Sequence, residues 1–202
     1  VAAVPLLDQP RLVFTGPVLE TLTQEEILAL VAGELARLRF WQEEGGEYLS
    51  VRQLLAELVE QKQVPRSHEL TFQRFQLCTD LLADQAALRS CGNAETLVSA
   101  MVKCRPLPAT IDKSLDAASL LSQAQSLWET ADPQTMSPSQ RGLLLRIAAL
   151  QRSVKEPDWK ITELESQVTA SQTINDLDLL QQLQLMDLTR QLICCLLEPA
   201  WM

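Results

Sequence analysis

The stretch "EEILALVAGELARLRFW", residues 25–41, decides how the rest of the chain is read. Apolar residues at 27, 28, 31, 35 and 38 recur at helical spacing and predict one buried face. Thr23 stands just ahead of Glu25 and Glu26, which places two carboxylates in the first turn, where the helix dipole favours them. The centre reads G-E-L-A-R, from Gly33 to Arg37, and "QEEGGEY" closes the helix. Upstream, "RLVFTG" (11–16) is the best strand: short, β-branched and aromatic, and ended by Gly16-Pro17.

Downstream the pattern stays helical. Ser50 with Gln53 three positions on predicts a helix running to Gln63, broken by Pro65. A long helix from Glu69 to Cys91 stops at Gly92, and Asn93 caps a short one ending near Lys103. "CRPLPAT" is a connector. Asp116 caps "AASLLSQAQSLWE", and Ser137-Pro138 opens "SQRGLLLRIAALQ" with proline at the first helical position. A short helix near 160–168 and a long one from Asn175 to Leu197 complete the chain. The fold class is mainly α with a small N-terminal β element.

The chain has 202 residues, 47% of them hydrophobic, enough apolar material for a substantial core. A formal net charge of −9 repels phosphate backbones and excludes nucleic acid as a natural partner. No window reaches the roughly 18 uninterrupted apolar residues of a membrane span. "VAAVPLLDQPRLVF" lacks the basic start of a secretory signal. Five cysteines, at 78, 91, 104, 194 and 195, show no metal-type spacing. They read as buried, reduced thiols of a cytoplasmic protein. No phosphate-loop or G-x-S-x-G pattern occurs, and the lone histidine, His68, reads as a cap or surface residue.

Zinc peptidases use H-E-x-x-H because positions i and i+4 of a helix grip one metal from one face while the Glu between them acts as general base. Replacing Gly33 and Arg37 by histidine would turn this segment into H-E-L-A-H. The run "RLVFTGPVLETLTQEEILALVAGELARLRFW" is similar to the strand, connector and active-site helix of the HtpX-like and CaaX-prenyl-protease superfamily of gluzincins. "TDLLADQAALRSCGNAETLVSAMVK" resembles the later helix that carries the family's third zinc ligand in E-x-x-x-D, with Asp80 at the ligand Glu and Asp84 at the motif Asp. "AASLLSQAQSLWE" and "MSPSQRGLLLRIAALQ" resemble two successive helices of the soluble bacterial branch, the second similar to "THPxxxxRxxAL". "LDLLQQLQLMDLTRQLICCLL" resembles that branch's C-terminal helix.

The resemblance implies a zincin-like α+β metallopeptidase fold over 1–155, with 156–202 as a helical extension packed on it. It also implies that the zinc site has been lost. Gly33 offers no ligand, Arg37 offers a permanent positive charge, and Asp80 is shorter than Glu. Glu34 alone survives, and a base without a metal to acidify its water is a poor hydrolase. The expectation is a pseudo-peptidase with no cofactor and no metal, working as a protein-binding or assembly subunit of a hetero-oligomer. One alternative is a regulatory partner of an active paralogue. Another is a diverged hydrolase using Glu34 with Asp80 and Asp84, with or without a hard metal, and Arg37 argues against it. Glu34 itself reads first as a buried carboxylate paired with a neighbour. Arg37 is expected to pair with Asp80 or Asp84 in place of zinc, with Gly33 leaving room for the guanidinium or a water. Trp41 and Tyr48 are candidate interface anchors, with core packing as the rival role. The family has more sequence ahead of the strand, so the expectation is that either the domain is trimmed or another chain completes the edge of 11–15.

Overall fold

The structure is a computed structural model describing residues 1–4, 11–61, 63–104, 116–130, 138–156, 159 and 174–197. It is mainly helical. A short antiparallel ribbon, β1 (Ala2–Val4) and β2 (Arg11–Val13), precedes α1 (Val18–Thr21) and α2 (Gln24–Gln42). A 3-10 turn (Glu43–Gly46) leads into α3 (Glu47–Val59), followed by α4 (Arg66–Cys91), α5 (Ala94–Lys103), α6 (Ala117–Thr130) and α7 (Pro138–Lys155). A second 3-10 turn (Ile174–Asp176) precedes α8 (Leu179–Leu197). Among the described residues no helix is long and apolar enough to cross a membrane. "CRPLPAT" after Cys104, the expected helix near 160–168 and the Ser137 cap lie outside the described residues.

The elements start where local chemistry directs. Asn93 accepts from the amides of Glu95 and Thr96 at 2.9 and 3.2 Å, and Gly92, at φ 68°, ends α4 in the left-handed conformation. Asp116 caps α6 through the Ser119 amide at 3.1 Å. Two starts differ from expectation. Gly45 and Gly46 both take positive φ and let α3 begin at Glu47, so Ser50 falls inside the helix rather than capping it. α8 begins after Asp178, not at Asn175. The Asp178 carboxylate accepts from the Gln181 amide at 2.9 Å, and the Asp178 amide donates to the Gln181 side-chain Oε1 at 3.0 Å.

Two compact units emerge, one of Val1–Tyr48 with Leu77–Glu165, the other of Leu49–Gln76 with Ser166–Met202. This division differs from the expected boundary after 155, because α3 and the first turns of α4 belong with the C-terminal segment. Within that second unit, Arg74 Nη1 holds the buried Asp178 at 2.6 Å and Thr71 Oγ1 accepts from the Leu179 amide at 2.9 Å. These bonds tie the start of α8 to α4.

The first unit is built around α5, which buries Ala94, Leu97, Val98, Ala100, Met101 and Val102. Ala29 of α2, Ala87 of α4, Ala124 of α6 and Ile147, Ala148 and Leu150 of α7 close around it. The N-terminus of α2 is fastened to α5 by a buried carboxylate. Glu26 completes a reciprocal capping box with Thr23, and its oxygens also accept from Ser99 Oγ at 2.5 Å and from Lys103 Nζ at 2.7 and 3.0 Å. Burial alone would raise the Glu26 pKa; the bonds from Lys103, Ser99 and the Thr23 amide outweigh it and hold the carboxyl below its usual value of 4.5. The unfolded chain therefore binds this proton more readily. The stability contributed is complete above the unfolded value and is lost as pH falls through the lower folded one. Glu26→Gln is expected to cost about 1–2 kcal/mol at neutral pH in denaturant unfolding. The difference from wild type should shrink toward about pH 2 as the carboxyl protonates; an equal gap at both pH values contradicts this assignment.

Candidate functional site

The inward face of α2 is only partly the expected apolar one: Leu38 is buried and Ile27 and Val31 are half-buried. Leu28 and Leu35, expected to be buried, are 58% and 52% exposed. The buried and half-buried line instead runs through Glu26, Ala29, Gly33, Arg37 and Trp41, spaced three or four apart. Small residues explain the choice. A Cβ built on Gly33 would lie 3.7 Å from both the Ala83 carbonyl oxygen and the Ala87 Cβ, so at this point α2 approaches α4. Gly33 therefore does not leave open room for a guanidinium or a water, as expected from sequence; α4 occupies that direction.

Arg37, one turn on, reaches Asp80. Its Nη2 lies 3.0 Å from Asp80 Oδ1 and 3.7 Å from Glu34 Oε1. The pair anticipated between Arg37 and an aspartate of the later helix is present, with Glu34 beside it. The stronger partner comes from α7. Arg146 grips Asp84 with two nitrogens, Nε to Oδ2 at 2.6 Å and Nη2 to Oδ1 at 2.7 Å, and reaches Asp80 Oδ2 through Nη1 at 3.1 Å. Asp80 thus stands between two guanidiniums, and Asp84 is matched fork to fork. Two arginines and three carboxylates form one network that joins α2, α4 and α7.

Burial divides the labour. The Asp84 side chain is 7% exposed, whereas Arg37 and Asp80 are 21% and 28% exposed. Burial pushes the Asp84 carboxyl up from the ordinary aspartate value, against the pull of Arg146. The Arg146 guanidinium, which burial alone would depress, is held above its ordinary value by Asp84. Arg37 engages Asp80 through Nη2, while its Nε is buried without a hydrogen-bond partner among the described residues. Arg146 was not singled out from the sequence. Its one signal is the fit of Arg146-Ile-Ala-Ala-Leu150 to the end of the "THPxxxxRxxAL" pattern.

These side chains do not suit a zinc ion. Gly33 supplies no donor, Arg37 supplies a cation 3.0 Å from Asp80, and both Asp80 oxygens already face arginine. Among the described residues no group of three or more His, Cys, Asp or Glu side chains is placed to hold a metal ion.

Other candidates are distributed differently from expectation. Trp41 is 6% exposed and belongs to the core, so it cannot anchor a partner; Tyr48, at 43%, remains at the surface. His68 lies half-buried in the first turn of α4, its amide bonded to the Pro65 carbonyl at 3.0 Å. Cys78, Cys104, Cys194 and Cys195 are exposed rather than buried, and Cys91 is intermediate. One edge of Arg11–Val13 is covered by residues 2–4 of the same chain, in the register Ala2↔Val13, Ala3↔Leu12 and Val4↔Arg11. No protein-family model matches the chain, and neither a curated protein nor a solved structure matches it significantly.

Two expectations follow. Arg146→Ala strands the buried Asp84 and should cost about 3–5 kcal/mol, whereas Arg37→Ala leaves Asp80 its bond to Arg146 and should cost about 1 kcal/mol; denaturant unfolding of both variants reads the order, and equal costs contradict it. Gly33→Ala fits the available contact and should be neutral or stabilising by up to about 1 kcal/mol, since glycine is unfavourable inside a helix. Gly33→His must push against α4 and should lose about 1–3 kcal/mol.

Proposed function

We propose that the chain is a catalytically inactive, zincin-like pseudo-peptidase that works as a protein-binding or assembly subunit. The observation that supports this reading most is the arginine network. Where the resemblance to zinc peptidases calls for three metal ligands, this chain has Gly33, Arg37 and Asp80, and the last two neutralise each other. A hydrolase of that type needs an electrophilic metal to acidify water and stabilise the developing oxyanion. Here Glu34 lies beside a guanidinium fixed by carboxylates, which offers no exchangeable position for a water or a carbonyl oxygen. The same network weighs against a hard-metal hydrolase built on Glu34, Asp80 and Asp84.

The outer face of α2 supports a role in contact. Leu28 and Leu35 lie seven residues apart and are both exposed, so this face presents apolar side chains to a partner. Large apolar groups in such a row suit protein association better than they suit water.

The test is co-purification with mass spectrometry, together with elemental analysis. The purified protein should carry no stoichiometric zinc, and Leu28→Glu with Leu35→Glu should remain folded, because both positions are exposed, yet lose its partners. An intact H-E-x-x-H peptidase among those partners favours the regulatory form of the proposal. About one zinc per chain after dialysis against a weak chelator, as in sites of native affinity, or peptidase activity lost on Glu34→Gln, overturns it.

A further inference from the structure

The last helix carries a feature that the arginine network does not explain. α8 spans Leu179–Leu197, about 28 Å at 1.5 Å per residue. From Gln182 to Leu196 every side chain is exposed, including Leu183, Leu185, Met186, Leu188, Leu192 and Ile193. A helix this apolar normally lies in a core. A groove of about 590 Å³ runs along it, lined by Leu185, Met186, Arg190 and Ile193 with Ile174 and Leu177.

From this we infer that α8 pairs antiparallel with α8 of a second copy of the chain. Leu179, Leu183, Met186, Arg190 and Ile193 follow the alternating four-and-three spacing of a coiled-coil seam. Placing a two-fold axis across the helix at Leu188 sets Leu183 opposite Ile193 of the second copy and Met186 opposite Arg190, so one seam complements itself, as an isologous interface requires. The helix's two charges choose the direction. Neither Asp187 nor Arg190 makes an ion pair with another described residue. In the antiparallel register Asp187 stands level, within about one residue rise, with Arg190 of the second copy. The two-fold axis then creates two such pairs, with the arginine stem over the seam and its head at the rim. A parallel pair would set Arg190 against Arg190 in the seam, and the two repel. The remaining polar residues of α8 are Gln and Thr, without the lysines and arginines of a membrane-surface helix.

Sedimentation equilibrium of the full chain tests this, independently of the Arg37 network. The wild type should dimerise with micromolar affinity, whereas Arg190→Glu and Asp187→Arg should each weaken association about tenfold. The exchanged double variant should return to within about threefold of wild type. Because both positions are exposed, circular dichroism should show the fold intact in all three. A monomer up to about 100 µM, well above a micromolar Kd, overturns the inference, as does a dimer indifferent to these charges. Leu183→Cys with Ile193→Cys supplies the register: oxidation should join position 183 of one copy to position 193 of the other, whereas 183–183 and 193–193 links mark parallel pairing and overturn the antiparallel one.

Discussion

The bidentate bond between Arg146 and Asp84 is the constraint on which the first unit depends. It is made by residues 62 positions apart, both largely removed from water. A buried carboxylate costs several kcal/mol unless a partner meets it with matched geometry. α7 supplies that partner, and its flanking Leu145, Ile147 and Ala148 are buried beside it. Once Asp84 is held, Asp80 is fixed one turn earlier on α4, and its outer oxygen can receive Arg37. The order of dependence is therefore Arg146, then the aspartates, then Arg37. A metal site distributes the same task differently, drawing ligands from two helices to one ion.

That arrangement also accounts for the unusual orientation of α2. Periodicity of large apolar residues points to a buried face through 27, 28, 31, 35 and 38; Leu38 is buried, yet Leu28 and Leu35 lie in water. Glu26 must face Ser99 and Lys103, and Arg37 must face Asp80; the two are eleven positions apart, close to three helical turns, so both demands turn the same side inward. Ala29 and Gly33 lie between them and are small enough for α2 to approach its neighbours. Two charged anchors and a small-residue seam thus outweigh the leucines. The cost is that Leu28 and Leu35 are left outside.

Much of this was legible in the sequence, and the rest failed for identifiable reasons. Helix order and the Asn93, Asp116 and Gly92 signals depend on neighbours within four residues, which a linear reading can see. The approach of Arg37 to Asp80 followed from two i, i+4 spacings and a resemblance between motifs. Arg146 could not be seen by such local rules, because its partners come from a distant helix. The covering of β2 by Ala2–Val4 was missed because three residues without alternation carry no strand signal. Cys194 and Cys195 read as core residues because α8 is apolar; both are exposed, as is all of α8 from Gln182 to Leu196.

The most direct measurement of the central claim is a double-mutant cycle on Arg146→Met and Asp84→Leu, followed by denaturant unfolding. If the bond is what joins α7 to α4, each single substitution strands a buried charge. The double variant, with two apolar side chains of similar size, should then recover at least about 2 kcal/mol relative to the sum of the singles. Additive losses, within about 0.5 kcal/mol, would show that the two residues act separately and would contradict the account.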